Sequence, residues 1–159
     1  KLFLNHQQRT DFCYNRNMTK KLIALDLDGT LLRPDGTISE FTQKTIKPGL
    51  HTIIMMYNPD CGHCQSQMEL FLSIPEVINQ AQIVLASTLP IYKIREFGSK
   101  YKLSNYPNIY VCKDNSWFLG KFFQPRTIPV LAFYNKQNQF TFISQGNATK
   151  EQILDALKK

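Results

Sequence analysis

"TIIMMYNPDCGHC", residues 52–64, joins an apolar run to two cysteines spaced C-x-x-C. The run extends as "LHTIIMMY", residues 50–57, nearly continuous in apolar side chains and of strand length. Such a run predicts a strand buried on both faces. The segment after it, "CGHCQSQMELFLSI", sets Met68, Leu70, Phe71, Leu72 and Ile74 on or near one side of a helix, which Pro75 stops. The cysteines therefore fall where a strand becomes a helix, and their spacing brings the sulfurs of Cys61 and Cys64 face to face one turn apart. Cys61 lies at the positive end of the helix dipole, among N–H groups without intrahelical partners, which favours thiolate over thiol. Cys64, further into the helix, is expected to be more buried and to keep its proton. This arrangement suits attack on a disulfide by Cys61 and resolution of the mixed disulfide by Cys64. His63 adds a proton donor or positive charge beside the sulfur, whereas Asp60 opposes thiolate formation.

Outward from this stretch, strands and helices alternate. "AQIVLAST", 81–88, is a buried strand, and "PEVINQ" before it is a helical turn or loop. "PIYKIREFGSKYKL" is helical, with Ile91, Ile94, Phe97 and Tyr101 at spacings of three and four. "NIYVCK" is a strand, "SWFLGKFF" a short helix, "IPVLAFYN" (128–135) a strand, and "FTFISQG" a strand after the turn "KQNQ". "TKEQILDALKK" closes the chain as an amphipathic helix capped by Thr149, with Ile153, Leu154 and Leu157 on its apolar face. Trp117, Phe118, Phe122 and Phe123 are expected in the core, and Cys112 is expected to pack as a small hydrophobe. The alternation predicts an α/β domain with a mixed central sheet flanked by helices. Residues 1–20 read as a polar tail with Cys13 a bystander in it, and residues 21–159 as one domain. Within that domain, 21–47 form a lead-in hairpin around the Pro-Asp-Gly turn of "LLRPDGTISEF", and 48–159 form the core.

Three segments, in this order and at these separations, resemble the thioredoxin superfamily over roughly residues 48–159. "TIIMMYNPDCGHC" resembles the family's strand, turn and redox motif; "RTIPVLAFYN" resembles the segment that opens with a cis-proline; "QGNATKEQILDALK" resembles the family's glycine turn and last helix. CGHC is the tetrapeptide of protein disulfide isomerase. The inserted strand and helix, "NIYVCKD…WFLGKFF", and the preceding hairpin resemble the TlpA-like branch of cell-envelope thiol oxidoreductases. The resemblance implies a thioredoxin-like fold and dithiol–disulfide exchange, with Cys61 and Cys64 catalytic and Asp60, Gly62 and His63 tuning the pair. It further implies that Pro129 is cis, and that Thr127, Ile128 and Pro129 bind substrate by offering the Ile128 backbone to an extended chain. No cofactor is implied, and the partners are protein thiol or disulfide substrates and an electron donor. The chain departs from the family at two places: Met55 stands six residues before Cys61 where an acid is common, and Asp60 replaces the usual Trp.

A second local likeness competes. "KKLIALDLDGTLL", 20–32, resembles the opening of haloacid-dehalogenase-type phosphatases, with Asp26 as nucleophile and Asp28 as acid/base. That chemistry also needs a downstream Ser or Thr, a Lys and an acidic pair for Mg²⁺, because a carboxylate facing a phosphate dianion is repelled unless cations neutralise both. No acidic pair follows an apolar strand after residue 48. The same letters serve a hairpin, since Asp28-Gly29 and Asp35-Gly36 are turn dipeptides.

Composition sets the outer bounds. The 159 residues, 43% hydrophobic and 19% charged, suit one globular domain. Net charge is +7, but the nineteen Lys and Arg are scattered and form no basic run of the kind that marks a nucleic-acid or membrane patch. No apolar stretch reaches the roughly 18–20 residues of a membrane span. Zinc is disfavoured, since Cys13, Cys112, His6 and His51 supply no second ligand pair. The chain opens at Lys1; a removed leader or tether ahead of it, a bacterial cell-envelope location, with the cytoplasm as the alternative, and a monomeric state are the expectations. The rival readings are a binding module with this fold but no turnover, and peroxide reduction at Cys61.

Overall fold

A computed structural model describes residues 13–14, 47, 49–115 and 117–159. The phosphatase-like stretch, the lead-in hairpin and most of the N-terminal tail lie outside these residues. Strands β1 (Cys13–Tyr14), β2 (His51–Met56), β3 (Ala81–Ser87), β4 (Ile109–Lys113), β5 (Val130–Tyr134) and β6 (Phe140–Gln145) form one sheet in the order β1-β4-β3-β2-β5-β6. β2, β3 and β4 run parallel, while β5, β6 and β1 pair antiparallel with their neighbours, so the sheet is mixed. Helices α1 (Gly62–Ser73), α2 (Pro75–Gln80), α3 (Ile91–Lys100), α4 (Phe118–Phe123) and α5 (Lys150–Ala156) fill the connections.

The period of two along each strand splits the core into two layers. Ile53 and Met55 of β2, Ile83 and Leu85 of β3, Ile109 and Val111 of β4, and Leu131 and Phe133 of β5 face one way. They pack there against Met68 and Phe71 of α1, Val77 of α2, Ile94 and Phe97 of α3, and Ile153 and Ala156 of α5. The intervening Ile54, Val84, Ala86, Tyr110, Cys112, Ala132 and Tyr134 face the other way, onto Leu119 of α4. A strand covered on both faces must be apolar at consecutive positions, which is why β2, β3 and β5 read as unbroken hydrophobic runs.

Helix ends follow local chemistry. Pro75 ends α1 and opens α2 at its first position. Thr149 caps α5 in a full capping box, with Gln152 as its reciprocal partner. The buried Asp114 accepts the N–H groups of Phe118 and Leu119 at 2.8 and 3.0 Å, and so satisfies the start of α4.

Several expectations change. Trp117 is 54% exposed rather than core. It sits in left-handed backbone just before α4, and its indole occupies the space where a side chain on Gly120 would be. Ile91, at the first position of α3, is also exposed, whereas Ile94 and Phe97 are buried as the spacing predicts. Within the expected tail, Cys13 and Tyr14 form a strand on the edge of the sheet beside β4. Cys112 packs in the core as expected but carries no free thiol: it is disulfide-bonded, and the register sets Cys13 directly across from it.

Phe71 carries the α1 face of the core and is fully buried. Phe71→Ala is expected to lower stability by about 3–5 kcal/mol, read as a fall in the urea midpoint at unchanged slope.

Candidate active site

The chain leaves β2 at Tyr57 and turns through Asn58-Pro59-Asp60 into α1. The side-chain oxygen of Asn58 accepts the Asp60 N–H at 2.8 Å, and its carbonyl accepts the Cys61 N–H at 3.1 Å. Gln65, one turn into the helix, donates through Nε2 to the Pro59 carbonyl at 2.9 Å. These bonds fix the approach to Cys61, the N-cap residue of α1. No side chain caps that end, so the free N–H groups of the first turn are left to the sulfur.

Cys61 and Cys64 are both free thiols, the first half-buried and the second fully buried. Burial by itself would raise the Cys61 thiol. The backbone N–H of Cys64, the Cys64 thiol and the backbone N–H of His63 outweigh it and hold Cys61 below the ordinary thiol value. Cys64 goes the opposite way. Burial, reinforced by its hydrogen bond with Cys61 and the charge there, pushes it up to about 12 against the weaker pull of backbone N–H groups. Two chemically identical groups within one helical turn thus differ strongly in proton affinity.

Other chain segments close over the pair. The Ile128–Pro129 peptide bond is cis, as the family resemblance implies. Ile128 and Cys61 pack against the same core layer. The Pro129 carbonyl accepts the N–H of Gly146 at 2.8 Å; Gly146 has φ of +93°, a conformation that favours glycine at this turn. The next residues reach α1: Asn147 donates through Nδ2 to the His63 carbonyl at 2.9 Å, and the Ala148 N–H donates to Oε1 of the fully buried Gln67 at 2.8 Å. The cysteines and the proline segment are therefore held together by the 146–148 turn.

The remaining expected residues take less central places. His63 and Gly62 are exposed, and the contribution seen from His63 is its backbone N–H. Asp60 is exposed and pairs with Lys93 of α3 at 3.1 Å. Thr127 is exposed and Pro129 buried. Met55, at the place of the common strand acid, is buried in apolar surroundings. His51 begins β2, at the far end of the strand from the thiols. Among the described residues, no three His, Cys, Asp or Glu side chains converge on a point where a metal ion would sit.

Four participants escaped the sequence reading: Gln67, Asn147, Lys93 and Tyr57. Gln67 was visible only as a polar residue at the helix position one turn after Cys64. Asn147 and Lys93 act across large sequence separations and leave no local pattern. The Tyr57 hydroxyl is buried with no hydrogen-bond partner among the described residues, and burial, then the charge at Cys64, raises its proton affinity.

The two thiols are expected to alkylate very unequally. Iodoacetamide at pH 7 should label the native reduced protein at Cys61 and spare Cys64. The Cys61 rate should reach half its maximum below the pH of an ordinary thiol and fall as acid removes the thiolate; peptide mass spectrometry across a pH series reads both.

Comparison with known proteins follows the same lines. No protein-family model matches the chain. A probable protein disulfide-isomerase A6 from Medicago sativa is 31% identical over 80 residues, which is 50% of this chain and 22% of that protein. The chain thus matches about a fifth of that relative's length. Among solved structures, a secreted Mycobacterium tuberculosis disulfide oxidoreductase homologous to E. coli DsbE superposes with a TM-score of 0.58 at 16% identity, covering 82% of this chain and 94% of that one. The exposed lipoprotein thioredoxin Etrx1 from Streptococcus pneumoniae gives 0.52 at 22% identity, covering 80% and 96%. A putative thioredoxin from Neisseria meningitidis gives 0.56 at 18% identity, covering 68% and 72%. A mixed sheet flanked by helices, a C-x-x-C pair at a strand-to-helix junction and these likenesses together establish that the chain has a thioredoxin-like fold.

Proposed function

We propose that the chain is a thiol–disulfide oxidoreductase acting on protein substrates through Cys61 and Cys64. The observation that carries this reading is the divergence of the two thiols: an accessible sulfur stabilised as thiolate, one turn from a buried sulfur that holds its proton. The Cys61 thiolate attacks one sulfur of a substrate disulfide. A Cys61–substrate bond forms, and the substrate's other sulfur leaves as thiolate and takes up a proton. Cys64 then gives up its proton and attacks the Cys61 sulfur. The second substrate sulfur is released, and the Cys61–Cys64 disulfide carries away the substrate's oxidising equivalents. A partner dithiol returns two electrons and two protons to restore the pair, and no organic cofactor enters.

Thr127, Ile128 and Pro129 are the segment on which an extended substrate chain docks, by backbone pairing at Ile128. Support comes from the bonds that tie this segment, through Gly146 and Asn147, to the first turn of α1. Asp60, Gly62 and His63 tune the pair. The chain works as a monomer of the TlpA-like branch in the bacterial cell envelope. The inserted β4–α4 unit supports the branch, and the similar Mycobacterium and Streptococcus structures, of a secreted and an exposed protein, support the location. No helix of the described residues is long and apolar enough to cross a membrane.

Insulin reduction in dithiothreitol, followed by turbidity, tests the exchange. The unsubstituted protein should shorten the lag, Cys61→Ser should fall to the uncatalysed rate, and Cys64→Ser should accumulate a mixed disulfide visible on a non-reducing gel. A protein that binds insulin chains yet leaves the lag unchanged would instead be a docking module without turnover.

A further inference from the structure

The residue directly before the attacking cysteine is an acid, and it is exposed at 57%. A carboxylate close to a developing thiolate repels it, opposite in sign to the pull of the helix N–H groups. The structure supplies a counterweight from a distant part of the chain. Lys93, in the first turn of α3, places Nζ 3.1 Å from Oδ1 of Asp60. Its backbone is held by the Lys93 N–H to Pro90 carbonyl bond at 3.0 Å, and α3 is anchored by the buried Ile94 and Phe97. The Phe97 ring packs 4.6 Å from the ring of Tyr57, the residue that leads into the motif. The first turn of α3 and the turn carrying Asp60 are therefore fixed to one another by the core, which keeps the long lysine side chain near its partner.

Other polar groups around the site do not replace this pairing. His63 and Cys64 belong to the motif itself. On α3, Tyr92 and Glu96 lie near Lys93 and bear on its charge, and Lys100 is engaged with Gln65 at 2.8 Å. Asn147 is neutral, and the segment 126–129, Arg-Thr-Ile-Pro, brings no carboxylate.

We propose that Lys93 is a positioning residue for the exchange: by pairing with Asp60 it cancels the carboxylate's repulsion of the Cys61 sulfur and keeps that sulfur nucleophilic at neutral pH. This inference rests on the reading of Cys61 as the attacking thiol. The pair does little for stability, since exposed ion pairs contribute little. Its effect falls on the sulfur of the next residue in the chain, where one added or removed charge changes the thiolate fraction several-fold.

Five proteins spanning residues 1–159 decide the matter: unsubstituted, Lys93→Met, Lys93→Arg, Asp60→Asn, and Lys93→Met combined with Asp60→Asn. The readout is the pH profile of Cys61 alkylation by iodoacetamide at low salt. Lys93→Met should slow alkylation at pH 7 by about threefold and move the profile to higher pH, and Asp60→Asn should do the reverse by a similar factor. The double variant should return close to the unsubstituted profile, because it removes a neutral pair. Lys93→Arg should keep the profile, and added salt should shrink the Lys93→Met effect. An unmoved profile in Lys93→Met, or a double variant that tracks Lys93→Met, overturns the proposal. Loss of rate without a shift along the pH axis also overturns it, since that is the mark of a purely structural role. Insulin turnover is scored separately. Should all five proteins fail to reduce insulin while the profiles move as described, the exchange reading falls and the charge pairing stands.

Discussion

The N–H groups of His63 and Cys64 meet the Cys61 sulfur because α1 begins at that residue with nothing else to cap it. A helix that opened on Ser, Thr or Asp would spend those donors on its own cap. Here the cap position holds a thiol, and the turn before it is fixed through Asn58 and Pro59 without using the donors. The difference between the two sulfurs then follows from depth together with these donors. Cys61 stays at the mouth of the helix, whereas Cys64, one turn in, is carried beneath the surface by the same apolar stripe that buries Met68 and Phe71. Helix placement, core packing and thiol chemistry are consequences of one boundary in the chain.

That boundary is held by polar bonds from the opposite end of the sequence. The buried amide of Gln67 accepts from Ala148, and Asn147 donates to the His63 carbonyl, so the last loop of the fold clasps the first helix of the site. A buried amide oxygen left without a donor is costly, so this bond fixes position as well as satisfying that oxygen. The proline segment is attached to the same clasp through Gly146.

The strand and helix pattern was legible in the sequence because it rests on period: the runs at 50–57, 81–88 and 128–135 are apolar at successive positions, and α1, α3 and α5 repeat every three or four. The C-x-x-C spacing likewise revealed the site, since one helical turn is a local distance. What stayed hidden depends on contacts between remote residues. Nothing near Lys93 announces its bond to Asp60, and nothing near Asp114 announces that it satisfies the start of α4. Trp117 misled for a different reason. Its aromatic neighbours suggest a core cluster, but left-handed backbone at the helix start lays the indole over Gly120 and leaves half of it in solvent. The pairing of Cys13 opposite Cys112 was equally invisible, because a two-residue edge strand carries no repeat.

The two layers of the core also sort the chain's sulfur. Cys61 and Cys64 belong to the layer beneath α1, whereas Cys112 lies on the reverse side with Tyr110 and Leu119. A continuous sheet of paired backbone stands between them as a partition. The free thiols of Cys61 and Cys64 and the disulfide at Cys112 therefore lie on opposite sides of the sheet. One molecule thereby carries a covalent cross-link behind the sheet and two reduced thiols in front of it.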